Sequence, residues 1–434
     1  MKSVLPSPAL LSYARAASLV ADHAGQLARL RSALLHNSQC VELDQALGRI
    51  LAQPLLADRD QPPFVRSTRD GYACRAAEAS AHLPLVVIGA SRAGDAPSGS
   101  LPPGTAWEIM TGAPVPDGAD AVIMFEHTKA AGSAKARKIR LLPARTIKPG
   151  DNIVAQGAQG HTGDELLPAG SLLHSGPIAL AAACGYAALN VFPRPRVAIL
   201  STGDELVPVD SAPAPGQIRN SNAPMLAALV ASAGGEPWIL PTAADNARAL
   251  DAALAQAVTA DILLISGGVS AGKFDLVEPV LARLGARFHF TGVRMQPGKP
   301  TVFGELPQSK RAGKRSKTLP FFGLPGNPVA SAVSFLLFAA PVLAALAGSR
   351  ESRPRFALAQ LAPPVERNGK SGLTRFFPAF CNFGATEGEA PQVAFVPWHG
   401  SGDLTALARS NCFCVIPEDA KSLKPGSLVR ILLL

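Results

Sequence analysis

The chain has 434 residues, 47% hydrophobic and 17% charged, with 39 Gly, 39 Pro and a net charge of +9. That length and apolar content exclude a disordered polyelectrolyte and suit an α/β protein of roughly two to four domains with many loops. Six scattered cysteines without a C-x-x-C pair exclude a zinc knuckle and a disulfide framework.

In chain order, the first thirty-odd residues show no decisive pattern and read as a loose arm, with no secretory signal. Residues 42–56 carry apolar side chains at 43, 46, 47, 50 and 51, a helical face that Pro62 and Pro63 then break off. Asp70-Gly71 is a turn pair, so Asp70 is expected at an exposed loop tip. Residues 83–162 read as an all-β module with strands at 85–88, 106–110, 121–124 and 139–142; Thr111 ends a strand and opens a turn. Residues 176–189 turn helical and apolar before Pro193 and Pro195 mark a boundary.

Residues 196–348 alternate strand and helix, the signature of a doubly wound α/β domain. Its strands are expected at 196–200, 238–240, 262–265, 288–290, 299–304 and 319–323, with helices over 245–258 and from Leu276 to Leu284. Asn220, Ser221 and Asn222 offer N-caps for a further helix ending at Gly234-Gly235. Residues 329–348 are apolar enough to span a bilayer, but Asn327 and Pro328 form a cap and N1 pair directly after a strand, which favours a buried helix. Residues 354–434 return to short strands, and Cys412 and Cys414 alternate in one of them toward a shared face. Within residues 308–317, Lys310, Arg311, Lys314, Arg315 and Lys317 crowd together without an aromatic residue, as in a solvated loop rather than a nucleic-acid surface.

The stretch 261–275 is the most informative. A buried strand ends in Ser266-Gly267-Gly268 and a helix follows, the layout in which backbone N–H groups face an anion. Three readings compete. Residues 267–273 fit G-x-x-x-x-G-K of a P-loop, yet Phe274 stands where Ser or Thr binds Mg²⁺. Residues 268–272 fit the G-x-S-x-G nucleophile elbow, but only His289 and His399 follow as bases. The third is a non-covalent anion cradle, with Ser270 as donor and Asp275 as a metal or proton ligand. Ligands of such sheets bind beyond the carboxyl ends of the strands, where loops 201–205, 266–275 and 324–328 leave. Glycines, Glu205, Asp275 and Lys299 there suit a phosphorylated substrate held with Mg²⁺. No G-x-G-x-x-G follows a strand, which argues against a nicotinamide enzyme.

The chain resembles the molybdopterin molybdenumtransferase family, including gephyrin E domains. The resemblance rests on Ala46-Leu47-Gly48-Arg49, Pro63-Phe64, Asp70-Gly71-Tyr72-Ala73, Met110-Thr111-Gly112-Ala113 and Ser201-Thr202-Gly203-Asp204-Glu205. It continues through Ser266-Gly267-Gly268-Val269-Ser270 with Asp275, Pro297-Gly298-Lys299-Pro300 and Gly323-Leu324-Pro325-Gly326-Asn327-Pro328. It implies five segments: a helical or extended linker over 1–55, a β-rich domain over 56–162, a return of the linker over 163–190, a molybdopterin-binding α/β domain over 191–350 and a β-barrel-like domain over 351–434.

The implied activity is insertion of molybdate into adenylylated molybdopterin with release of AMP; a catalytically weak molybdopterin carrier or scaffold is the alternative. The resemblance makes Asp275, Glu205, Asp70 and Thr111 catalytic, with Asp275 and Glu205 holding Mg²⁺. It assigns the pterin phosphates and the oxyanion to Ser201, Thr202, Gly203, Asp204, Ser266, Gly267, Gly268, Ser270, Lys299, Pro325, Gly326, Asn327 and Ser401, and Asp245 falls near a further acidic position. It also implies a cytoplasmic homodimer, with the adenylyltransferase that makes the substrate as a partner and neither nucleic acid nor membrane. Gln159 replaces an expected carboxylate, Val65-Arg66-Ser67 an expected Asp-Asn-Ser, and Arg375 stands alone where several arginines are expected.

Overall fold

A computed structural model describes residues 10–32, 38–96, 99–131, 137–268, 276–308, 318–363, 372–384, 390–420 and 423–434. The basic cluster 310–317 and the expected ligands Ser270 and Asp275 lie outside those residues.

The described part of the N-terminal arm, from residue 10 on, is not loose. Tyr13–Ser32 forms a 20-residue helix, α1, whose buried Ala16, Val20 and Ala24 recur every four residues. The stripe is made of small side chains, so its hydrophobic signal is weak in sequence, yet small residues let a helix approach its neighbour closely. Tyr13 packs edge-on against Phe376, with ring centroids 5.4 Å apart.

Residues 42–56 also depart from the expected helix. The chain instead runs through a strand Gln39–Glu42, a single 3₁₀ turn Leu43–Gln45 and a strand Leu55–Leu56. Gly48 at φ 72° breaks any helical continuation, and Leu47 is 64% exposed. Residues 176–189 divide likewise: a helix Ser175–Ala183 ends before Gly185 at φ 80°, and Ala188–Val191 pairs antiparallel with Gln39–Glu42. The segments around 39–56 and 165–191 thereby share one small core of Val41, Leu51, Leu55, Leu173, Leu189 and Val191.

Between them stands a six-stranded sheet, in the order Ala121–Met124, Gly71–Cys74, Thr105–Ile109, Leu85–Ser91, Lys138–Leu141, Thr128–Ala130. Its strands are short, and Gly104 and Gly112 turn the chain on either side of Thr105–Ile109.

The α/β domain comprises β1 (Arg196–Ser201), α2 (Asn222–Ser232), β2 (Glu236–Ile239), α3 (Ala247–Ala257), β3 (Ile262–Ser266), α4 (Val277–Arg283), β4 (Arg287–Phe290), β5 (Val302–Pro307), β6 (Thr318–Leu324) and α5 (Pro328–Leu346). The strand order is β2-β1-β3-β6-β5-β4, parallel over the first four and antiparallel for β5 and β4. Helices cover both faces. Leu226 and Val230 of α2 and the length of α5 share one core with α1; Leu250, Leu254, Val280 and Leu281 of α3 and α4 fill the other. Burial on both faces explains why β3 reads as the unbroken apolar run Ile262-Leu263-Leu264-Ile265. The helix α3 starts later than expected because Asn246, not Asp245, caps it by accepting from the Ala249 N–H.

The helix α5 is long and apolar enough to cross a membrane by length and composition, but 78% of its most apolar stretch is buried inside the fold. Pro341 has no N–H to donate, and the turn before it widens into a π-helix over Phe335–Ala339.

The C-terminal strands close on themselves. Thr374–Asn382 pairs with Gln392–Phe395 on one side and with Cys412–Ile416 on the other; Phe356–Leu361 and Leu428–Leu433 complete the ring. A further strand, Val293–Gln296, leaves the α/β segment to pair in parallel with Thr374–Asn382. Cys412 and Cys414 share a core cluster with Cys381, whereas Phe413 points into the core under α1 and α5. Burial pushes the Cys412 thiol up to about 12, so it stays protonated and inert at neutral pH.

Candidate functional site

The strand order reverses between β1 and β3, and at such a switch point the loops after the two strands diverge and leave a crevice. Ser201 pairs with Ser266 and Ser266 with Leu324, so three loops leave the sheet side by side. The Thr202 N–H donates to the Ser266 carbonyl (3.0 Å) and the Gly267 N–H to the Leu324 carbonyl (3.2 Å).

Glycine is required where these loops touch. At Gly267, φ 93°, a Cβ would lie 2.5 Å from the Thr202 carbonyl oxygen; at Gly268, φ 64°, it would lie 2.8 Å from Thr202 Oγ1. On the other side a Cβ on Gly326 would stand 3.7 Å from the Gly267 Cα. The glycines of the second and third loops therefore face the first loop and each other, forming one floor.

Two asparagines bind this floor together. Asn222 Nδ2 donates to Ser266 Oγ (2.9 Å) and to the Gly326 carbonyl (2.6 Å), which locks the second loop to the third. Asn220 Oδ1 accepts from Ser201 Oγ (3.3 Å) and from the Ala223 N–H (3.2 Å). By sequence both offer helix caps. Ser221 stands at the N-cap position of α2, and Asn220 satisfies its first turn through the Ala223 N–H; Asn222, the first residue of the helix and 9% exposed, bridges loops instead. Hydrogen bonds of this kind contribute about 1 kcal/mol each, and leaving either partner unmet in a buried site costs more. Thr202 Oγ1 and Asn222 Oδ1 are buried and have no hydrogen-bond partner among the described residues, so the floor presents polar atoms that a ligand can satisfy.

The carboxylates lie at the rim. Glu205 is exposed and folds back so that its Oε2 would sit 2.5 Å from a Cβ on Gly203. Asp204 is exposed, and its Oδ1 accepts from the Asp245 N–H (3.0 Å). Pro325 is buried between the Leu324 strand end and Gly326. At the start of α5, Asn327 Nδ2 donates to Ser401 Oγ (2.8 Å), and the Ser401 carbonyl accepts from the Val329 N–H (3.0 Å). Ser401 thus docks the C-terminal module onto the helix N-terminus.

Lys299 is exposed on the turn after Val293–Gln296. That turn is fixed by Gly298, φ 105°, whose carbonyl accepts from Thr301 Oγ1 (2.6 Å), which in turn contacts Ser334 Oγ of α5 (2.7 Å). Gln296 pairs with Arg375, so the buried Arg375 stands on the neighbouring strand.

Asp70 and Thr111 are brought together on a different sheet. Both are exposed, and Asp70 Oδ1 accepts from the Thr111 N–H (2.6 Å) and Oγ1 (2.8 Å). Those donors, the backbone one first, hold the Asp70 carboxyl below its usual range. The Gln159 N–H donates to the Gln61 carbonyl (2.8 Å) in another exposed loop of that half of the chain.

Comparison with known proteins matches three regions of the chain. Residues 11–185 match the MoeA N-terminal region (domain I and II), residues 198–345 a probable molybdopterin binding domain, and residues 363–434 the MoeA C-terminal region (domain IV). The molybdopterin molybdenumtransferase of Nostoc sp. is 36% identical over 409 residues, covering 91% of this chain and 88% of the relative. That of Bacillus subtilis is 34% identical over 403 residues, covering 92% and 90%. The crystal structure of the molybdopterin biosynthesis moeA protein from Pyrococcus horikoshii OT3 superposes with a TM-score of 0.73 at 26% identity, over 98% of this chain and 100% of that one.

Proposed function

The chain belongs to the molybdopterin molybdenumtransferase (MoeA) family, and from that premise we propose that it inserts molybdate into adenylylated molybdopterin, releasing AMP and molybdenum cofactor. The observation that carries this reading is the glycine floor at the switch point, with the Thr202 hydroxyl buried and unmet among the described residues beneath it. Backbone at positive φ admits a phosphate closer than any side chain allows, and the hydroxyl of Thr202 is a donor for its oxygens.

The reaction cleaves the P–O–P link of the substrate with water: one phosphate stays on the pterin and the other leaves as AMP. An all-oxygen rim of Glu205 and Asp204 fits a hard divalent ion, so Glu205, with Asp275, is assigned to Mg²⁺. Mg²⁺, when bound, neutralises charge that develops on the bridging oxygen. The floor positions the diphosphate; Glu205 sits at its edge; Lys299 and Arg375 supply positive charge for the molybdate oxyanion. Ser401 orients Asn327 beside it.

Asp70 and Thr111 are exposed on a separate sheet, and we assign them to the active site of a partner copy in a homodimer. Sedimentation of the purified chain should give twice the mass of 44.8 kDa; a monomer that retains full activity would remove this assignment. Localisation to the cytoplasm, and delivery of substrate by the adenylyltransferase that makes it, belong to the same reading.

The test is direct. Purified chain mixed with adenylylated molybdopterin, molybdate and Mg²⁺ should release AMP stoichiometrically with cofactor, and omission of Mg²⁺ should suppress release. Tight pterin binding without AMP would favour the carrier reading, which Gln159 in place of a carboxylate motivates.

A further inference from the structure

At the far edge of the α/β sheet, three residues from three elements converge: His23 of α1, His289 of β4 and Glu305 of β5. One ligand atom from each lies within 4.8 Å of the other two. We propose that His23, His289 and Glu305 form a binding site for a divalent transition ion of the zinc class, one that staples the N-terminal helix to the edge of the sheet.

The local structure is built for convergence. Between β4 and β5 the register slips: Phe288 faces Gly304 and Phe290 faces Phe303, which leaves His289 as the extra residue of a bulge. A bulge re-aims the side chain it carries, and His289 Nε2 is brought 3.2 Å from Glu305 Oε2. A tetrahedral ion with bonds of about 2.0–2.1 Å needs neighbouring ligand atoms about 3.3 Å apart, so this pair already spans one edge of such a site. His23 completes it, 9% exposed, with Nε2 buried and lacking a hydrogen-bond partner among the described residues. An imidazole nitrogen left so is costly unless something binds it.

The surroundings support ligation. Thr318 Oγ1 donates to the other Glu305 oxygen, Oε1 (2.6 Å), the outer-shell contact that orients a metal-binding carboxylate. Phe303 stacks on His289 (centroids 4.7 Å) and meets His23 edge-on (5.2 Å), fixing both rings. The hydrogen bond from His289, aided by Thr318, holds the Glu305 carboxyl at about 2, and burial lowers His23, so carboxylate and neutral imidazole are the forms present at neutral pH. Arg287 is the positive charge that acts on His23 and opposes a cation here. Two nitrogens and one carboxylate select zinc, cobalt or iron over Mg²⁺, which separates this site from the phosphate rim.

The test uses the tag-free full chain, stripped with chelator and titrated with CoCl₂ under reducing conditions. We expect about one Co²⁺ per chain with visible bands of a low-coordinate N/O site, unaffected by millimolar Mg²⁺ and displaced by Zn²⁺. Glu305→Gln keeps the shape of the side chain and should lose the bands, as should His289→Ala, with unchanged far-UV circular dichroism for the first. Zn²⁺ should raise the melting temperature of the wild-type chain by a few degrees and leave that of Glu305→Gln unmoved. No uptake by the wild type, uptake unchanged in Glu305→Gln, or a thiolate-to-cobalt band that disappears in Cys40→Ser would each overturn the proposal. Failure of the AMP-release assay would leave these outcomes untouched.

Discussion

Alanine at Gly267 should destabilise the protein by about 2–5 kcal/mol and bring AMP release down by on the order of a hundredfold. Two costs combine there. The backbone at φ 93° strains any residue with a Cβ, at about 1–2 kcal/mol. The added methyl would also meet the Thr202 carbonyl at 2.5 Å and its Oγ1 at 3.2 Å, and overpacking costs about 1–3 kcal/mol. Relief requires the ends of β1 and β3 to separate, which breaks the 3.0 Å bond from Thr202 N–H to the Ser266 carbonyl and widens the floor. Gly216 is the control: its φ is 86° but a Cβ there meets nothing within 4 Å, so Gly216→Ala should show the strain alone and near-full activity. Urea unfolding and AMP release on both variants decide the matter. Equal effects at the two positions would mean that contact with Thr202 plays no part.

Asp275→Asn should leave the fold intact, retain pterin binding and slow AMP release by about a hundredfold or more. The substitution removes one negative charge and keeps the size, so on the proposed assignment of Asp275 to Mg²⁺ the ion would lose a charged ligand. The Mg²⁺ concentration needed for half-maximal rate should rise in parallel. A near-normal rate at saturating Mg²⁺ would take Asp275 out of the mechanism and leave Glu205 to be examined in the same way.

Much of the α/β domain was legible because its signals are local. Buried parallel strands need unbroken apolar runs, and 262–265 shows one; chain reversal at their ends needs glycine, and Gly203, Gly267 and Gly268 all adopt positive φ. The helix α1 was not legible, because its core stripe is Ala16, Val20 and Ala24, too weakly apolar to stand out. Residues 42–56 were misread for the opposite reason: a helical spacing of leucines exists, but Gly48 and pairing with a distant segment override it. The bridging role of Asn222 was hidden because the residue opens a helix, and capping is the commoner use of asparagine there.

Within the α/β domain the sequence alone determined where the chain turns, which strands are buried and which loops leave the same ends of the sheet, since periodicity and glycine placement act over a few residues. Only the tertiary structure decided which polar groups meet. Asn222 with Gly326, Ser401 with Asn327, Asp70 with Thr111, and His23 with His289 and Glu305 are partners distant along the chain. Each pairing is set by helix packing, strand register and a bulge, and those depend on the whole core closing at once.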